Sequence, residues 1–361
     1  MNSGDIGFML ICSALVLLMT PGLAFFYGGL VRRKNVVNTM MTSIFVIGIA
    51  AVMWTLFGYS LAFGNDHFGI IGDFSWLGLQ GIEGSTTDYV STIPHLEFAI
   101  FQMMFAIITP ALITGAVAGR MKFKALFLFI ILWSVIVYYP MAHMVWGLGG
   151  FLAKIGSVDF AGGNVVHISS GVSALVLCIA LGKRKDYLRV QYHVHNIPFV
   201  VLGASLLLFG WFGFNAGSAL QANELAVHAF ITTGLSAASG MLSWMAMDVL
   251  MSGKPTLVGS VTGMVVGLVA ITPGAGYVPI WASIIIGLVG SPICYLMISK
   301  VKQKLGYDDA LDAFGCHGVG GIFGGLATAI FTTPDLALDK ANIGLIYGKA
   351  HLFIVTILAI I

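Results

Sequence analysis

Charged side chains are scarce in this sequence. The 361 residues include 17 Lys+Arg and 15 Asp+Glu, 9% of the chain, where an ordinary soluble domain carries about 25%. So few charges cannot cover the surface of a soluble fold of this length. That excludes a soluble enzyme, a nucleic-acid binder and a disordered chain. Cysteine is sparse too. Cys12, Cys178, Cys294 and Cys316 all fall in apolar segments, without the spacing of a disulfide framework or zinc site, and read as small buried hydrophobes. Strict alternation of apolar and polar residues is absent, which argues against a membrane β-barrel. Apolar sequence is what abounds, with 58% hydrophobic residues and a mean hydropathy of +0.96. The composition points to an all-α polytopic membrane protein.

A helix needs about 20 apolar residues to cross the bilayer. Such runs predict spans near 7–30, 36–63, 95–119, 125–147, 162–182, 197–220, 225–251, 257–272, 278–299 and 313–333, with an eleventh starting near 349. The first run lacks a basic leader and a cleavage site, so it counts as a span and not a signal peptide. Basic residues then sort the loops. Arg32, Arg33 and Lys34 follow the first span, and Arg120, Lys122 and Lys124 the third. Lys183, Arg184, Lys185 and Arg189 follow the fifth, Lys254 the seventh, and Lys300, Lys302 and Lys304 the ninth. Only Lys154, Lys340 and Lys349 fall on the other side. The positive-inside rule then predicts an outer N-terminus and an inner C-terminus, in the inner (cytoplasmic) membrane of a cell. The last run reaches Ile361 after a helix of only about 16 Å, against a hydrocarbon core of about 30 Å. The expectation is a truncated eleventh helix, with a tail or further domain lying beyond this chain.

Two segments repeat a pattern. Asp159-Phe-Ala-Gly-Gly-Asn-Val-Val-His167 and Asp309-Ala-Leu-Asp-Ala-Phe-Gly-Cys-His317 each place a His eight positions after an Asp. An odd number of spans separates them, so the two helices run in opposite directions. This predicts one domain over 1–361 with two inverted five-helix repeats, at about 7–182 and 197–333, and a site near the midplane. If each Asp starts its helix, each His lies about 12 Å deep, and the two imidazoles meet at the centre. A single intramembrane His is commonly a buried polar group bonded to its neighbours. Equal offsets in two inverted halves favour a pathway instead, in which one ring nitrogen donates while the other accepts. Asp159 reads as a helix cap or as a carboxylate favouring a cation at the outer mouth. Asp309 and Asp312 share that ambiguity, with capping preferred.

Aromatic residues collect at one membrane level. Phe101 and Phe105 are four apart on one helical face, with Gln102 between them. Trp146 ends the fourth span, and Phe214 and Ser218 close the sixth. A lipid-facing aromatic belt is one explanation. The predominance of Phe, interleaved with Gly, Gln and Ser, favours helix contacts instead. Aromatic faces attract cations, so the aromatics of these three spans, with one hydroxyl acceptor, form a candidate site for a small monovalent cation above a Phe closure. Glycine runs such as 147–150 and 318–325 are packing signals, not nucleotide fingerprints, since no strand precedes them.

These residues resemble the Amt/Mep/Rh family of ammonium transporters. The matching blocks are Pro-Gly-Leu-Ala-Phe-Phe-Tyr-Gly-Gly from Pro21, Phe-Gln-Met-Met-Phe from Phe101, Ala-His-Met-Val-Trp-Gly from Ala142 and the Asp159 block. Gly-Trp-Phe-Gly-Phe-Asn-Ala-Gly-Ser from Gly210 and Phe-Gly-Cys-His-Gly-Val-Gly-Gly from Phe314 complete the set. The resemblance implies a homotrimer of eleven-helix subunits in a lipid bilayer, a transporter and not an enzyme, with no cofactor. It implies an outer ammonium site at Phe105, Trp146 and Ser218, and a stacked gate of Phe105 and Phe214 with Phe101 beside it. His167 and His317 become a twin-His pair, supported by Asp159 and Gln102. Ammonium binds outside, deprotonates, and recombines inside after ammonia and the proton pass separately. A PII-type regulator or a fused signalling domain is the implied cytoplasmic partner. Departures are Leu148 in place of a glycine, the stretch Tyr192-His193-Val194-His195-Asn196 without its expected proline, and His228, which matches no family ligand. Two alternatives stand beside transport. One is an ammonium sensor with an absent output domain. The other is a haem protein using His167 and His317 as axial ligands.

Overall fold

The computed structural model describes residues 1–190 and 193–361. Among the described residues, ten helices are long and apolar enough to cross a membrane. They are α1 Ser3–Leu30, α2 Arg33–Phe63, α3 His95–Val117, α4 Phe123–Lys154, α5 Gly163–Leu181, α6 Ile197–Gly217, α7 Glu224–Ser252, α8 Leu257–Gly274, α9 Ile280–Leu305 and α10 Phe314–Phe331. A shorter apolar helix, α11 His351–Ile360, follows. The chain is a multi-pass α-helical membrane protein. Helix α9 runs on through Leu305, so Lys300, Lys302 and Lys304 sit on its last turns and not in a loop. Helix α4 is interrupted by a turn at 147–150 before a final short piece, Phe151–Lys154.

Polar side chains set several helix starts. Asn2 accepts from the Gly4 and Asp5 N–H groups, Asn196 from Phe199, Asn223 from Ala226 and Thr256 from Gly259. Each satisfies donors that have no partner within the helix. The outer helices carry apolar side chains on their exposed faces, such as Val52 and Leu56 on α2, Leu128 and Leu132 on α4, and Leu288 on α9. That pattern suits lipid, while α3 and α8 are mostly enclosed.

Helices α1 and α6 cross at van der Waals contact. A Cβ on Gly203 would stand 2.2 Å from the Phe26 nitrogen, and one on Gly22 would stand 3.0 Å from the Leu206 Cβ. Small residues are what allow two backbones to approach so closely in a membrane. The connection between α2 and α3 folds over one end and contains a short antiparallel pair, β1 Asp66–His67 and β2 Ile71–Gly72, with Asp66 opposite Gly72.

The basic loops converge on the other end. Arg32 pairs with Asp186 at 3.3 Å. The Asp308 carboxylate, fully buried, takes Arg184 at 2.5 Å and Arg120 at 3.5 Å. Burial pushes the Asp308 carboxyl up, but Arg184 and then Arg120 outweigh it and hold the group below its ordinary range.

Candidate functional site

The site begins with two helix starts. Both oxygens of Asp159 are engaged by backbone. Oδ1 accepts from Gly162 (2.8 Å) and Gly163 (2.6 Å), and Oδ2 from Asn164 (2.8 Å) and Val165 (3.3 Å). The free donors of the first turn of α5 are thereby satisfied. Gly162 has φ +121°, a conformation that glycine alone adopts without strain. Asp309 does the same for α10, accepting from Ala313 (3.1 Å) and Phe314 (2.8 Å). Asp312 does not cap. It pairs with Lys302 on α9, which corrects the expectation that it shares the role of Asp309.

Each start leads into a π turn, Gly163–Ile168 and Phe314–Gly318, and each π turn carries one of the two histidines. Such turns insert a residue into the helix and recur at functional sites. His167 Nδ1 and His317 Nδ1 lie 3.3 Å apart. Their rings meet edge to edge, with centroids 5.3 Å apart and planes 20° from parallel. Both are almost fully buried. A contact between two ring nitrogens needs one hydrogen, so one Nδ1 donates and the other accepts. The His167 Nε2 has no hydrogen-bond partner among the described residues. That nitrogen is itself enclosed, beside a small cavity. That cavity, about 20 Å³, is walled by apolar groups including Leu23, Phe26, Leu112 and Val265. It has room for about one water-sized molecule.

Above the histidines the rings continue. Phe214 faces His167 at 6.2 Å and Phe105 at 4.4 Å. Phe105 and Phe214 are each 1% exposed, so together they close the path. Phe101 packs edge-on against Phe105 at 5.0 Å.

Beyond this closure lies an open vestibule of about 130 Å³, lined by Phe101, Gln102, Phe105, Trp146, Phe160 and Ser218 among others. Trp146 stands edge-to-face with Phe105 at 5.7 Å, and its indole N–H donates to the Asp159 carbonyl at 2.9 Å. With that donor engaged, the indole presents its ring to the vestibule. The Ser218 hydroxyl donates to the Phe214 carbonyl at 2.8 Å, which leaves its oxygen lone pairs to accept. The buried Gln102 Oε1 has no partner among the described residues. The vestibule therefore offers π faces and the Ser218 acceptor oxygen, the complement of a small cation bearing N–H groups. Asp159 does not line it.

The structure brings together Phe101, Gln102, Phe105, Trp146, Phe214, Ser218, His167 and His317, with Asp159 beneath Trp146. Sequence reasoning missed Trp211, which stacks on His167 at 5.4 Å and 22° while its N–H donates to Thr272 Oγ1 at 2.9 Å. Its spacing of three from Phe214 was the available signal. Phe160, beside the cap, was missed too. His228 donates from Nε2 to the Val278 carbonyl at 2.8 Å, which accounts for it structurally. Leu148 points outward, and only its backbone N–H takes part, donating to the Tyr89 hydroxyl at 2.8 Å. Tyr192, in the stretch expected to hold a proline, lies outside the described residues. Axial haem ligation fails on space. The two rings touch directly, and the adjoining cavity of about 20 Å³ leaves no room for a porphyrin between them.

The model of the Ammonium Transporter Family matches residues 7–361. The chain belongs to that family. It is 51% identical over 360 residues to the ammonium transporter of Bacillus subtilis, covering 100% of this chain and 88% of that protein. It is 52% identical over 363 residues to the putative ammonium transporter of Methanothermobacter thermautotrophicus, with the same coverage. The crystal structure of Saccharomyces cerevisiae Mep2 superposes with a TM-score of 0.94 at 36% identity, covering 100% of this chain and 82% of that one. Membership in an ammonium transporter family gives the vestibule its natural candidate substrate, a small cation with four N–H donors.

Proposed function

We propose that this protein carries ammonium across the inner (cytoplasmic) membrane of the cell, taking it up as a cation and passing it as ammonia and a proton. The observation that carries this reading is the 3.3 Å contact of His167 and His317 below a closed Phe pair. Ammonium is held in the vestibule by the faces of Phe105 and Trp146 and by the Ser218 oxygen. The apolar passage beyond strongly disfavours an ion. Deprotonation splits ammonium into ammonia, which fits the apolar cavity, and a proton, which the two imidazoles relay. Potassium cannot lose a proton and is rejected.

The basic loops gathered around Asp308 form the cytoplasmic face of this proposal, and the vestibule opens outside. We assign one domain to the chain, with inverted repeats at about 7–182 and 197–333, homotrimeric assembly and a PII-type regulator at the cytoplasmic face. The sensor reading is not favoured, because relatives at 51% and 52% identity carry transporter names, against 26% identity to the solved Sensor Amt Protein. The test is current from proteoliposomes on an ammonium pulse, with a potassium pulse as control. An ammonium-specific current is expected. Ammonium binding without any current or uptake rejects transport.

A further inference from the structure

A second histidine site lies behind the vestibule, and the twin-His passage does not use it. His143 is 0% exposed and sits three residues before Trp146 on α4. Its Nδ1 is 3.0 Å from the Ala62 carbonyl oxygen at the end of α2. Its Nε2 is 3.0 Å from Asp66 Oδ1 in β1.

The partners of Asp66 identify it as an ionised carboxylate. Oδ1 also accepts from the Gly69 N–H at 2.7 Å, and Oδ2 pairs with Lys154 at 3.2 Å. The His143 N–H holds the Asp66 carboxyl below its usual range, against the push of partial burial, and Lys154 and the Gly69 N–H add to that. A carbonyl and a carboxylate have no proton to give. Each ring nitrogen of His143 therefore faces an acceptor, and the ring is fixed between two elements.

The surrounding turn is built around this pair. A Cβ on Gly147 would stand 2.7 Å from the His143 Nδ1, and one on Gly149, at φ +93°, would stand 2.8 Å from the Asp66 Cβ. The Phe151 N–H donates to the Gly69 carbonyl at 2.8 Å, closing the Asp66 loop onto the far side of the same turn. Trp146 lies between the anchored His143 and this turn. Its indole is held on the other side by the bond to Asp159 and by the edge-to-face contact with Phe105.

We propose that the His143–Asp66 pair is a positioning device for the outer cation site, holding the end of α4 so that Trp146 stands against Phe105. Neither residue touches the vestibule, so neither is part of the binding surface. The pair acts on recognition through Trp146. This inference rests on the proposed ammonium site.

The test compares wild type with Asp66→Ala, Asp66→Asn and His143→Gln in proteoliposomes. It reads the apparent KM for ammonium current, the maximal current, the ammonium-over-potassium ratio and the thermal midpoint. Asp66→Ala and His143→Gln are expected to raise KM about 10-fold with maximal current within about 2-fold, the signature of lost binding geometry. Asp66→Asn keeps an acceptor for the ring and is expected to show a smaller rise. Unchanged KM overturns the proposal, as does a lowered midpoint with KM and selectivity intact, since that is a purely structural role. Should Asp66→Ala fail to fold, Asp66→Asn and His143→Gln decide by the same readouts. A wild type without ammonium current rejects the functional reading. The positioning claim is then judged by a crystal structure of Asp66→Asn. Displacement of Trp146 from its 5.7 Å contact with Phe105 supports it, and an unmoved ring overturns it.

Discussion

Gly171 lies against Gly318 so closely that a Cβ on Gly171 would stand 2.1 Å from the Gly318 nitrogen. The contact is reciprocal. Gly171 follows His167 by four positions and touches the turn of His317, while Gly321 follows His317 by four and would place a Cβ 3.1 Å from that of His167. Each histidine helix carries the glycine that admits the other. The imidazole contact thus depends on two absent side chains as much as on two present ones.

Gly171→Val is expected to push α5 and α10 apart. Overpacking of this kind costs about 1–3 kcal/mol, and the larger effect falls on the histidine contact. Ammonium current is expected to drop at least about 10-fold, a barrier increase of about 1.4 kcal/mol, beside a modest fall in the thermal midpoint. A wild-type current in this variant would show that the 3.3 Å contact is dispensable.

His167→Ala removes one partner of the shared hydrogen and also the ring packed against Trp211 and Phe214. Ammonium-driven charge movement is expected to be lost or to lose its selectivity over potassium. Current of unaltered size and selectivity would end the proton-relay account.

Trp146→Leu removes one π face from the vestibule while leaving an apolar wall. A cation–aromatic contact contributes about 0.5–2 kcal/mol, which corresponds to a rise in apparent KM of about 2- to 30-fold. The ammonium-over-potassium preference should fall with it. If neither changes, recognition lies elsewhere.

Asp159→Ala strips the acceptor from four backbone N–H groups in a buried first turn. Each unsatisfied donor costs about 1–3 kcal/mol, less whatever water recovers. The expected result is a large fall in the thermal midpoint together with loss of current, because the π turn of His167 starts from this cap. Normal stability with lost current would instead give the carboxylate a direct part in ion recognition.

At the cytoplasmic end, the Asp308 carboxyl is held low by Arg184 and Arg120 against the push of burial. A group with a depressed folded-state pKa contributes stability that is complete above its unfolded value, near 3.9 for Asp, and is lost as pH falls through the folded value. The Asp308 contribution is therefore constant from neutral pH down to about pH 4 and declines only below that. Asp308→Ala removes the buried carboxylate that faces Arg184 and Arg120 and is expected to cost about 3 kcal/mol. Thermal midpoints measured from pH 7 to pH 3 should converge for wild type and variant at the acid end. A gap that stays constant across that range would remove the ion pair as its cause.

Much of the site is legible in the sequence because its parts are local. Phe101 and Phe105 share a helical face by spacing alone, and so do Phe214 and Ser218. The Asp-to-His offset repeats visibly in both halves. Trp211 escaped because nothing in its segment shows which ring will lie over His167. The His143–Asp66 pair escaped for a similar reason. Asp66 lies in a polar connection with no periodicity, and its partner is 77 positions away. Asp312 shows the opposite error. It has the composition of a cap, but Lys302 on a neighbouring helix claims it.

By itself the sequence determined that this chain is a bundle of membrane-crossing helices, which ends carry the cations, and which residue types sit at what depth. Those properties follow from transfer of side chains between water and hydrocarbon, a nearly residue-by-residue quantity. Only the tertiary structure decided that two nitrogens 150 positions apart stand in contact, that Phe105 covers Phe214, and that the Gln102 oxygen lacks a partner. These are contacts between helices, set by which glycines let backbones meet and by how a π turn rotates a ring. No local pattern encodes them, because their energies depend on both partners at once.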